Sequence, residues 1–190
     1  RIKMSAENND MPMHYVTTRD EAREIAKGKK HYWVSDCGCR KGNESGCKRS
    51  PVDVCLCWAG PYGSTEENVR ELNEEELKKL FKLAEEKHLV TRPFRKWDPE
   101  TKSVIDETDG VCFCCDCCCA YFTEPGEVCD KGPSIEKTDR DSCTDCGACV
   151  DVCYFKARKM ENGKLEIIND NCYGCGLCVD VCSCITMTKR

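Results

Sequence analysis

The chain has 190 residues, of which 33% are charged and only 7% aromatic, with a formal net charge of -5 and 21 cysteines. This length allows one domain and a second small one, and the low aromatic content predicts a thin apolar core that bound metal must complete. The negative charge argues against nucleic-acid binding, and no apolar run is long enough to span a membrane. An odd cysteine count, adjacent cysteines and no secretory signal favour metal binding in a cytoplasmic protein over disulfides.

Two amphipathic helices are predicted in the N-terminal half, over residues 19 to 29 and 74 to 88. Each opens with a capping box, begun by Thr18 in the first helix and by Asn73 in the second, with a glutamate three residues later. Apolar residues then recur at helical spacing, so both helices are expected to be scaffold, with partner docking as the alternative. The chain begins at Arg1 rather than at methionine, which leaves open what precedes it.

The first group of cysteines lies between these helices and consists of Cys37, Cys39, Cys47, Cys55 and Cys57. Basic residues flank it, namely Arg40, Lys41, Lys48 and Arg49. These cations either balance thiolate charge or steer an acidic partner, and the spacing does not separate the two interpretations. None of the three histidines lies within a cysteine motif, and His88 at the end of the second helix is expected to be structural.

Residues 91 to 111 are predicted as a loop with one short strand, Ser103 to Ile105. Six cysteines follow within eight residues, at Cys112, Cys114, Cys115, Cys117, Cys118 and Cys119. Because adjacent side chains of an extended chain point to opposite sides, this run can serve two metal centres, one on each face. Asp116 within the run could be a proton relay or a ligand, but a solvated turn residue is the favoured interpretation.

The last part of the chain carries one cysteine spacing twice. The spacing is Cys-x2-Cys-x2-Cys-x3-Cys, with cysteines at positions 143, 146, 149 and 153 and again at positions 172, 175, 178 and 182. Three thiolates stepped three residues apart can wrap one corner of an iron-sulfur cubane, while a fourth, further on, reaches the neighbouring cluster. Between the two copies, residues 156 to 168 predict a hairpin around an Asn-Gly turn.

With these motifs, residues 133 to 190 resemble the bacterial ferredoxin that holds two 4Fe-4S clusters in a pseudo-symmetric repeat. The resemblance implies one cluster bound by Cys143, Cys146, Cys149 and Cys182. It implies a second cluster bound by Cys172, Cys175, Cys178 and Cys153. Small residues between the ligands allow the backbone to approach the sulfurs closely. The family's proline after the fourth cysteine is missing, with Tyr154 and Ser183 in its place, which weakens the expected rigidity of the exit segment.

We therefore expect an α+β protein with two domains. Residues 1–132 would form a cluster-nucleated, Cys-rich iron-sulfur domain with two main helices, and residues 133–190 a ferredoxin-like, two-cluster domain. The chain as a whole also resembles anaerobe iron-sulfur proteins that end in a two-cluster ferredoxin domain. That wider resemblance supplies no reaction.

The cysteines upstream of the ferredoxin-like part are enough for two further cubanes, which would make four 4Fe-4S clusters in all. One is expected on Cys37, Cys39, Cys47 and Cys55, and the other on four of the six cysteines in the dense run. Cys57, Cys129 and Cys184 remain without a role. Zinc is the rival for the first set, but structural zinc sites use closely spaced cysteine pairs, unlike the long gaps here. A metallothionein-like store is disfavoured by the predicted helices.

The predicted function is the relay of low-potential electrons through several clusters between a donor and an acceptor. The alternative is a redox enzyme, or a subunit of one, whose N-terminal cluster binds and reduces a small substrate. No P-loop, dinucleotide fingerprint or nucleophile-base pair indicates another chemistry, so no catalytic residue is assigned. The negative charge, which bound clusters increase, predicts redox partner proteins with a basic docking face.

Overall fold

The computed structural model describes residues 11–61, 68–124 and 126–190. Its helices are α1 Arg19–Ala26, α2 Gly38–Lys41, α3 Glu74–Glu86, α4 Ala120–Thr123, α5 Ala148–Asp151 and α6 Leu177–Asp180, with a 3-10 turn at Asn169–Asn171. Its strands are β1 Trp33–Asp36, β2 Asp53–Cys57, β3 Arg70–Glu71, β4 Val90–Asp98, β5 Ser103–Cys114, β6 Ser134–Thr138, β7 Arg158–Glu161, β8 Lys164–Ile167 and β9 Ile185–Lys189. Within these ranges, no helix is both long enough and apolar enough to cross a membrane.

Both predicted capping boxes are present, and they explain where the two long helices begin. The Thr18 side chain accepts a hydrogen bond from the Glu21 backbone N-H, and the Glu21 carboxylate accepts one from Thr18. Asn73 makes the same reciprocal pair at the start of α3. Helix α1 ends at Ala26, earlier than expected, and Gly28 follows with a φ of 74°. Such a φ leaves the helical region at little cost only for glycine.

Five antiparallel strands form the main sheet, in the order β3-β1-β2-β5-β4. The prediction of a loop with one short strand over residues 91 to 111 is wrong, because β4 and β5 form a long hairpin there. Pro93 and the charged residues concealed this strand pattern. Pro93 fits here because residues 13 to 17, rather than a full strand, run along the outer side of β4, and its carbonyl accepts a hydrogen bond from the Tyr15 N-H there. Lys96, beyond that segment, is half exposed to water.

The two faces of the sheet have different partners. On one face, fully buried Leu56 and Phe113 pack with residues of α1 and α3, and the ring of Phe81 meets that of Phe113 edge-on at 5.3 Å. Side chains alternate along a strand, so Cys112 and Cys114 on β5 point to the other face. Cys55 on β2 lies directly opposite Cys112 in the register. The sheet therefore shields its cysteines behind an apolar layer.

The C-terminal part consists of short paired strands and two one-turn helices. Strand β6 pairs with β9, and β7 pairs with β8 across Asn162 and Gly163, whose φ values are 50° and 76°. Positive φ at both turn residues is what an Asn-Gly hairpin turn requires, so the predicted hairpin is confirmed. With its mixed helices and small antiparallel sheets, the structure confirms the expected class at that level.

Side chains from both halves of the chain share one buried cluster. Val16, Val90, Cys114 and Cys119 of the upstream half pack there with side chains of the C-terminal half, namely Val152, Tyr154 and Leu177. A second link is the ion pair between Arg19 on α1 and Asp180 on α6, both largely buried. The boundary predicted between residues 132 and 133 thus lies beside an extensive contact, and the boundary itself stays a prediction.

Candidate iron-sulfur and metal centres

One cavity in the C-terminal half is lined by four cysteines from both copies of the repeat. They are Cys172, Cys175 and Cys178 of the second copy and Cys153, the last cysteine of the first. The structure thus brings together the four residues that the resemblance groups around one cluster. Burial raises the pKa of the Cys153 thiol, with the Ala157 backbone N-H opposing it. Ligation requires deprotonation, so a bound metal must supply the stabilisation that the buried sulfurs otherwise lack.

The other C-terminal cysteines gather around a small apolar cluster that contains Leu165 and Ile185. Cys143, Cys149 and Cys182 belong to this cluster, again combining the first copy of the repeat with the last cysteine of the second. Cys146, the fourth residue of the expected set, is exposed to solvent. Cys184, which had no predicted role, also lies here, with its sulfur 3.1 Å from that of Cys182.

Glycines between the ligands let the backbone turn closely around both sets. Gly147 and Gly176 occupy equivalent positions in the two copies, immediately before α5 and α6, with φ values of 81° and 77°. Gly174 has a φ of 82°, and a Cβ placed on it would lie 2.1 Å from the carbonyl oxygen of Ser134. At Gly174 no other residue satisfies both the backbone angle and the contact with β6.

A buried arginine balances the charge of these sulfurs. Arg158 is 3% exposed, donates a hydrogen bond of 3.4 Å to the Cys149 sulfur and pairs with buried Glu136. A guanidinium donor strengthens a contact to a thiolate and offsets its charge. The soft sulfur donors, the glycine-lined backbone and this cation together fit a pair of 4Fe-4S clusters.

Upstream, the sheet face and two loops assemble what we call the six-cysteine group, made of Cys37, Cys39, Cys55, Cys112, Cys114 and Cys119. Its thiols contact one another in a chain that runs from Cys112 through Cys55, Cys37, Cys39 and Cys119 to Cys114. The contact with Cys55 holds the pKa of Cys112 well below its ordinary value, although burial opposes this effect. These thiol contacts lower the pKa of Cys112, Cys39 and Cys114 and raise the pKa of Cys55, Cys37 and Cys119.

Arg92 on β4 is the buried cation of the six-cysteine group. It is 3% exposed and lies 3.2 Å from the Cys119 sulfur and 3.8 Å from that of Cys114. Burial raises the pKa of the nearby Cys129 thiol to about 11, and Arg92 opposes this shift. His14 is a further neighbour, with Nε2 3.8 Å from the Cys112 sulfur. No role was predicted for Arg92, His14 or Cys129.

A separate, tighter set comprises Cys47, Cys115, Cys117 and Cys118, which we call the four-cysteine group. Its sulfurs all lie within 4.8 Å of one another. Buried Arg40 donates to the Cys47 sulfur at 3.3 Å and to the Phe113 carbonyl at 2.9 Å. Burial works to raise the pKa of Cys47, but hydrogen bonds from the Arg49 N-H and from Arg40 lower it to about 6.

Next to this group, Arg49 forms an ion pair within the upstream half and also contacts a ring of the C-terminal half. Arg49 binds both carboxylate oxygens of Asp116, at 2.6 and 3.1 Å, and its guanidinium lies 4.8 Å from the ring centre of Tyr154. Tyr154 stands where the ferredoxin family has proline, and its buried ring fills the junction. Asp116 lies in a turn with its side chain 38% exposed, as the favoured expectation had it, and it is also the ion-pair partner of Arg49.

The structure groups the upstream cysteines differently from the sequence prediction. The spacing placed Cys47 with Cys37, Cys39 and Cys55, whereas the structure places it with Cys115, Cys117 and Cys118. Cys47 follows α2 in a loop that Arg40 and the Arg49-Asp116 pair hold against the dense run. Adjacent cysteines of that run do point to opposite sides, since Cys114 and Cys115 belong to different buried clusters.

Cys57 stands outside both upstream groups, because its thiol donates a 3.2 Å hydrogen bond to the Asp109 carbonyl. The buried arginines that contact sulfur, Arg92 and Arg158, were not predicted from the sequence. A signal existed for Arg92, since it lies between Thr91 and apolar residues in a buried stretch of strand, where an unpaired cation would be costly. For His14 the sequence holds no signal, since 98 residues separate it from Cys112.

Comparison with known proteins agrees with this arrangement in the C-terminal part. The sequence profile of a family described as a 4Fe-4S dicluster domain matches residues 135–183. No curated protein matches the chain, and no solved structure does. The matched region contains all eight cysteines of the double repeat and none of the upstream cysteines. An iron-sulfur, metal-binding, ferredoxin-like domain with the 4Fe-4S dicluster pattern therefore occupies the C-terminal part of this chain.

Proposed function

We propose that the chain relays electrons, one at a time and at low potential, between a donor and an acceptor protein. When bound, 4Fe-4S clusters supply one-electron uptake and release. The proposal assigns two of them to the eight cysteines of the dicluster domain and a third to four thiols of the six-cysteine group. The sequence count allowed two upstream clusters, and the compact four-cysteine group is treated separately below.

The observation that carries this proposal is an unbroken series of side-chain contacts between the two regions. The Arg92 guanidinium, which touches sulfurs of the six-cysteine group, lies 4.4 Å from the ring centre of Tyr121. Tyr121 in turn contacts Tyr173, which follows Cys172 directly. Tyr173 stacks on Phe155 with ring centres 4.4 Å apart. These packed rings, each partly buried, link the upstream sulfurs to the ligands of the dicluster domain.

The charges around the sulfurs bear on the potentials. The net charge of -5 and the thiolates favour low reduction potentials, since added negative charge disfavours the reduced state. The buried cations Arg92 and Arg158 act in the opposite direction, each beside its own sulfurs. Because both are nearly inaccessible to water, their effect is little screened by salt. A buried arginine beside the sulfurs thus raises the reduction potential in each of the two regions.

We place the exchange with a partner at Cys146. It is exposed, whereas its companions Cys143 and Cys149 are partly or fully buried. Exposed Met160 lies beside Gly147, next to this cysteine, and offers an apolar contact. A redox partner with a basic face fits the negative chain best.

The alternative function, reduction of a small substrate at an upstream cluster, requires an open coordination position. The six-cysteine group offers more thiols than a cubane needs, so no ligand position is left vacant for want of sulfur. This surplus favours relay over substrate reduction. The two functions predict different responses to added small molecules.

The test uses the full chain purified without oxygen, with iron and acid-labile sulfide measured per chain. Three cubanes correspond to about 12 iron atoms. A potentiometric titration followed by electron paramagnetic resonance is expected to show one-electron centres whose spectra do not respond to candidate ligands. Iron confined to the dicluster domain, or an upstream signal that shifts with a small ligand, would reject the relay.

The contact series has its own test in Tyr173→Leu, with Tyr32→Leu as a matched control far from Cys172. Tyr32 donates to the Ala26 carbonyl and packs on the other buried cluster. Loss of the stacked ring is expected to slow electron equilibration between upstream and C-terminal clusters after rapid reduction. Equal equilibration rates in both variants would show that these ring contacts do not carry the electron.

A further inference from the structure

The four-cysteine group has the dimensions of a site for a single ion. Its sulfur-sulfur distances are 3.6 Å for Cys47 and Cys115, 3.9 Å for Cys47 and Cys117, 3.5 Å for Cys115 and Cys117, and 3.1 Å for Cys115 and Cys118. Four sulfurs at about 2.3 Å from a tetrahedral zinc ion stand about 3.8 Å apart. We propose that Cys47, Cys115, Cys117 and Cys118 bind one Zn2+ ion, separate from the electron-carrying clusters.

A cubane does not fit the same sulfurs. Its four cysteine sulfurs are bonded to irons at alternate corners of a cube and project outward, so they stand about 6 Å apart. All four sulfurs of this group lie within 4.8 Å of one another. Binding a cubane would therefore require all four sulfurs to move apart from their positions in the structure.

The rest of the chain provides an internal comparison. Over the described ranges, 11–61, 68–124 and 126–190, no other group of three or more possible ligand atoms is this compact. No three of the eight cysteines of the dicluster domain have their sulfurs all within 4.8 Å of one another. The six-cysteine group also lacks any such compact trio, although its thiols meet in pairs. The structure thus distinguishes one small site from the larger ones.

The surroundings suit a divalent ion held by four thiolates. The ion and its four ligands together carry a net charge of about -2. Buried Arg40 contacts two of the sulfurs, at 3.3 Å for Cys47 and 3.7 Å for Cys115. Asp116, the nearest carboxylate in sequence, is engaged by Arg49 and leaves coordination to the cysteines. A cavity bordered by Gly42, Cys117 and Cys118 gives an ion a path to the sulfurs.

Four thiolate ligands with tetrahedral spacing favour zinc among the common divalent ions, and a closed set of four is typical of structural zinc sites. The ion would join the loop after α2 to the segment between β5 and α4. It would also fix the Arg49-Asp116 pair beneath Tyr154, and with it the contact between the two halves of the chain. Zinc has no redox role here.

The experiment measures zinc and iron in the full chain purified without oxygen, in the presence of both metals. We expect about one zinc per chain. Zinc X-ray absorption is expected to show sulfur neighbours only, at about 2.3 Å. The variant Cys117→Ser should lose the zinc and keep its iron. The matched control Cys57→Ser, outside both upstream groups and able to keep the hydrogen bond to the Asp109 carbonyl, should keep both metals.

Several results would overturn the site. One is the loss of about four irons, rather than zinc, in Cys117→Ser, because this would identify a cubane. Another is one iron without sulfide in place of zinc, and a third is zinc with nitrogen or oxygen neighbours. Because the absorption measurement uses the unsubstituted chain, the site remains testable even where Cys117→Ser fails to fold. The iron count separates this test from that of the relay.

Discussion

In the dicluster domain the cysteines stand on short loops whose shape is set by glycines a few residues away, whereas upstream they come from a sheet face and from loops distant in sequence. Gly174 and Gly176 lie within the motif that they shape, but Cys55 and Cys112 meet only through strand pairing. The first arrangement is local and depends on the bound cluster for cohesion. The second rests on an apolar scaffold that folds around the cysteines.

The largest expected effect follows from removing the metals. When the clusters are broken down and the iron is chelated in the full chain, amides of β6 to β9 should exchange rapidly, because Leu165 and Ile185 are the main buried apolar side chains around Cys149. The sheet over Leu56 and Phe113 should stay protected. Hydrogen exchange read by mass spectrometry measures both. Equal loss of protection in the two regions would contradict the comparison.

The next effect tests the local arrangement. In Gly174→Ala the new Cβ would meet the Ser134 carbonyl, so this variant should lose about four irons per chain. Gly163→Ala is the control, since it has a similar φ of 76° but open space around it. Its cost should be only the backbone strain, about 1–2 kcal/mol, with iron retained. Iron analysis and denaturant unfolding measure the pair, and full iron retention in Gly174→Ala would disprove the steric argument.

A smaller effect concerns the buried cations. Arg92→Gln removes a positive charge beside Cys114 and Cys119, so the potential of the upstream cluster should fall by on the order of 100 mV. Arg140→Gln provides the comparison, because Arg140 lies 4.0 Å from the Cys143 sulfur but is half exposed and screened by water. Its shift should be clearly smaller. Potentiometric titration decides, and equal shifts would show that burial is not what gives Arg92 its effect.

The smallest effect tests the scaffold alone. Thr18→Ala removes the hydrogen-bond acceptor that caps α1 and should lower the free energy of unfolding by about 1 kcal/mol. Asn73→Ala should act similarly on α3. Iron content should not change in either variant. A loss of iron would mean that the helices, rather than the sheet face, control the upstream cysteines.

Sequence reasoning succeeded where the determinants are short-range. The two capping boxes and the Asn-Gly hairpin follow from residues within a few positions. The grouping of Cys153 with the second repeat was implied instead by the resemblance to ferredoxin, and the four cysteines of that grouping line one cavity. It failed at β4, where Pro93 and exposed charges mask a strand whose partner is fixed by the sheet. It also misplaced Cys47, because Cys115 and its neighbours lie far along the chain.

The buried arginines are another feature that the sequence alone does not separate from exposed cations. Arg40 was recognised as part of a basic run, but only the fold separates it from Lys41, which is half exposed and faces Asp36. Arg40 is buried against sulfur, as the charge-balancing interpretation of the run expected. Arg49 instead pairs with Asp116, so the one run supplies two different kinds of contact.

The edge position of β4 has a consequence for the life of the protein before its metals are in place. An edge strand with free N-H and carbonyl groups can recruit a strand of another molecule and start aggregation. Here residues 13 to 17 run along the outer side of β4, where the Tyr15 N-H donates to the Pro93 carbonyl and the Arg95 N-H to the Met13 carbonyl, and two bulges interrupt the register with β5. These features discourage edge-to-edge association. A newly synthesised chain whose cysteines do not yet bind iron and sulfide is thereby kept from associating through this strand.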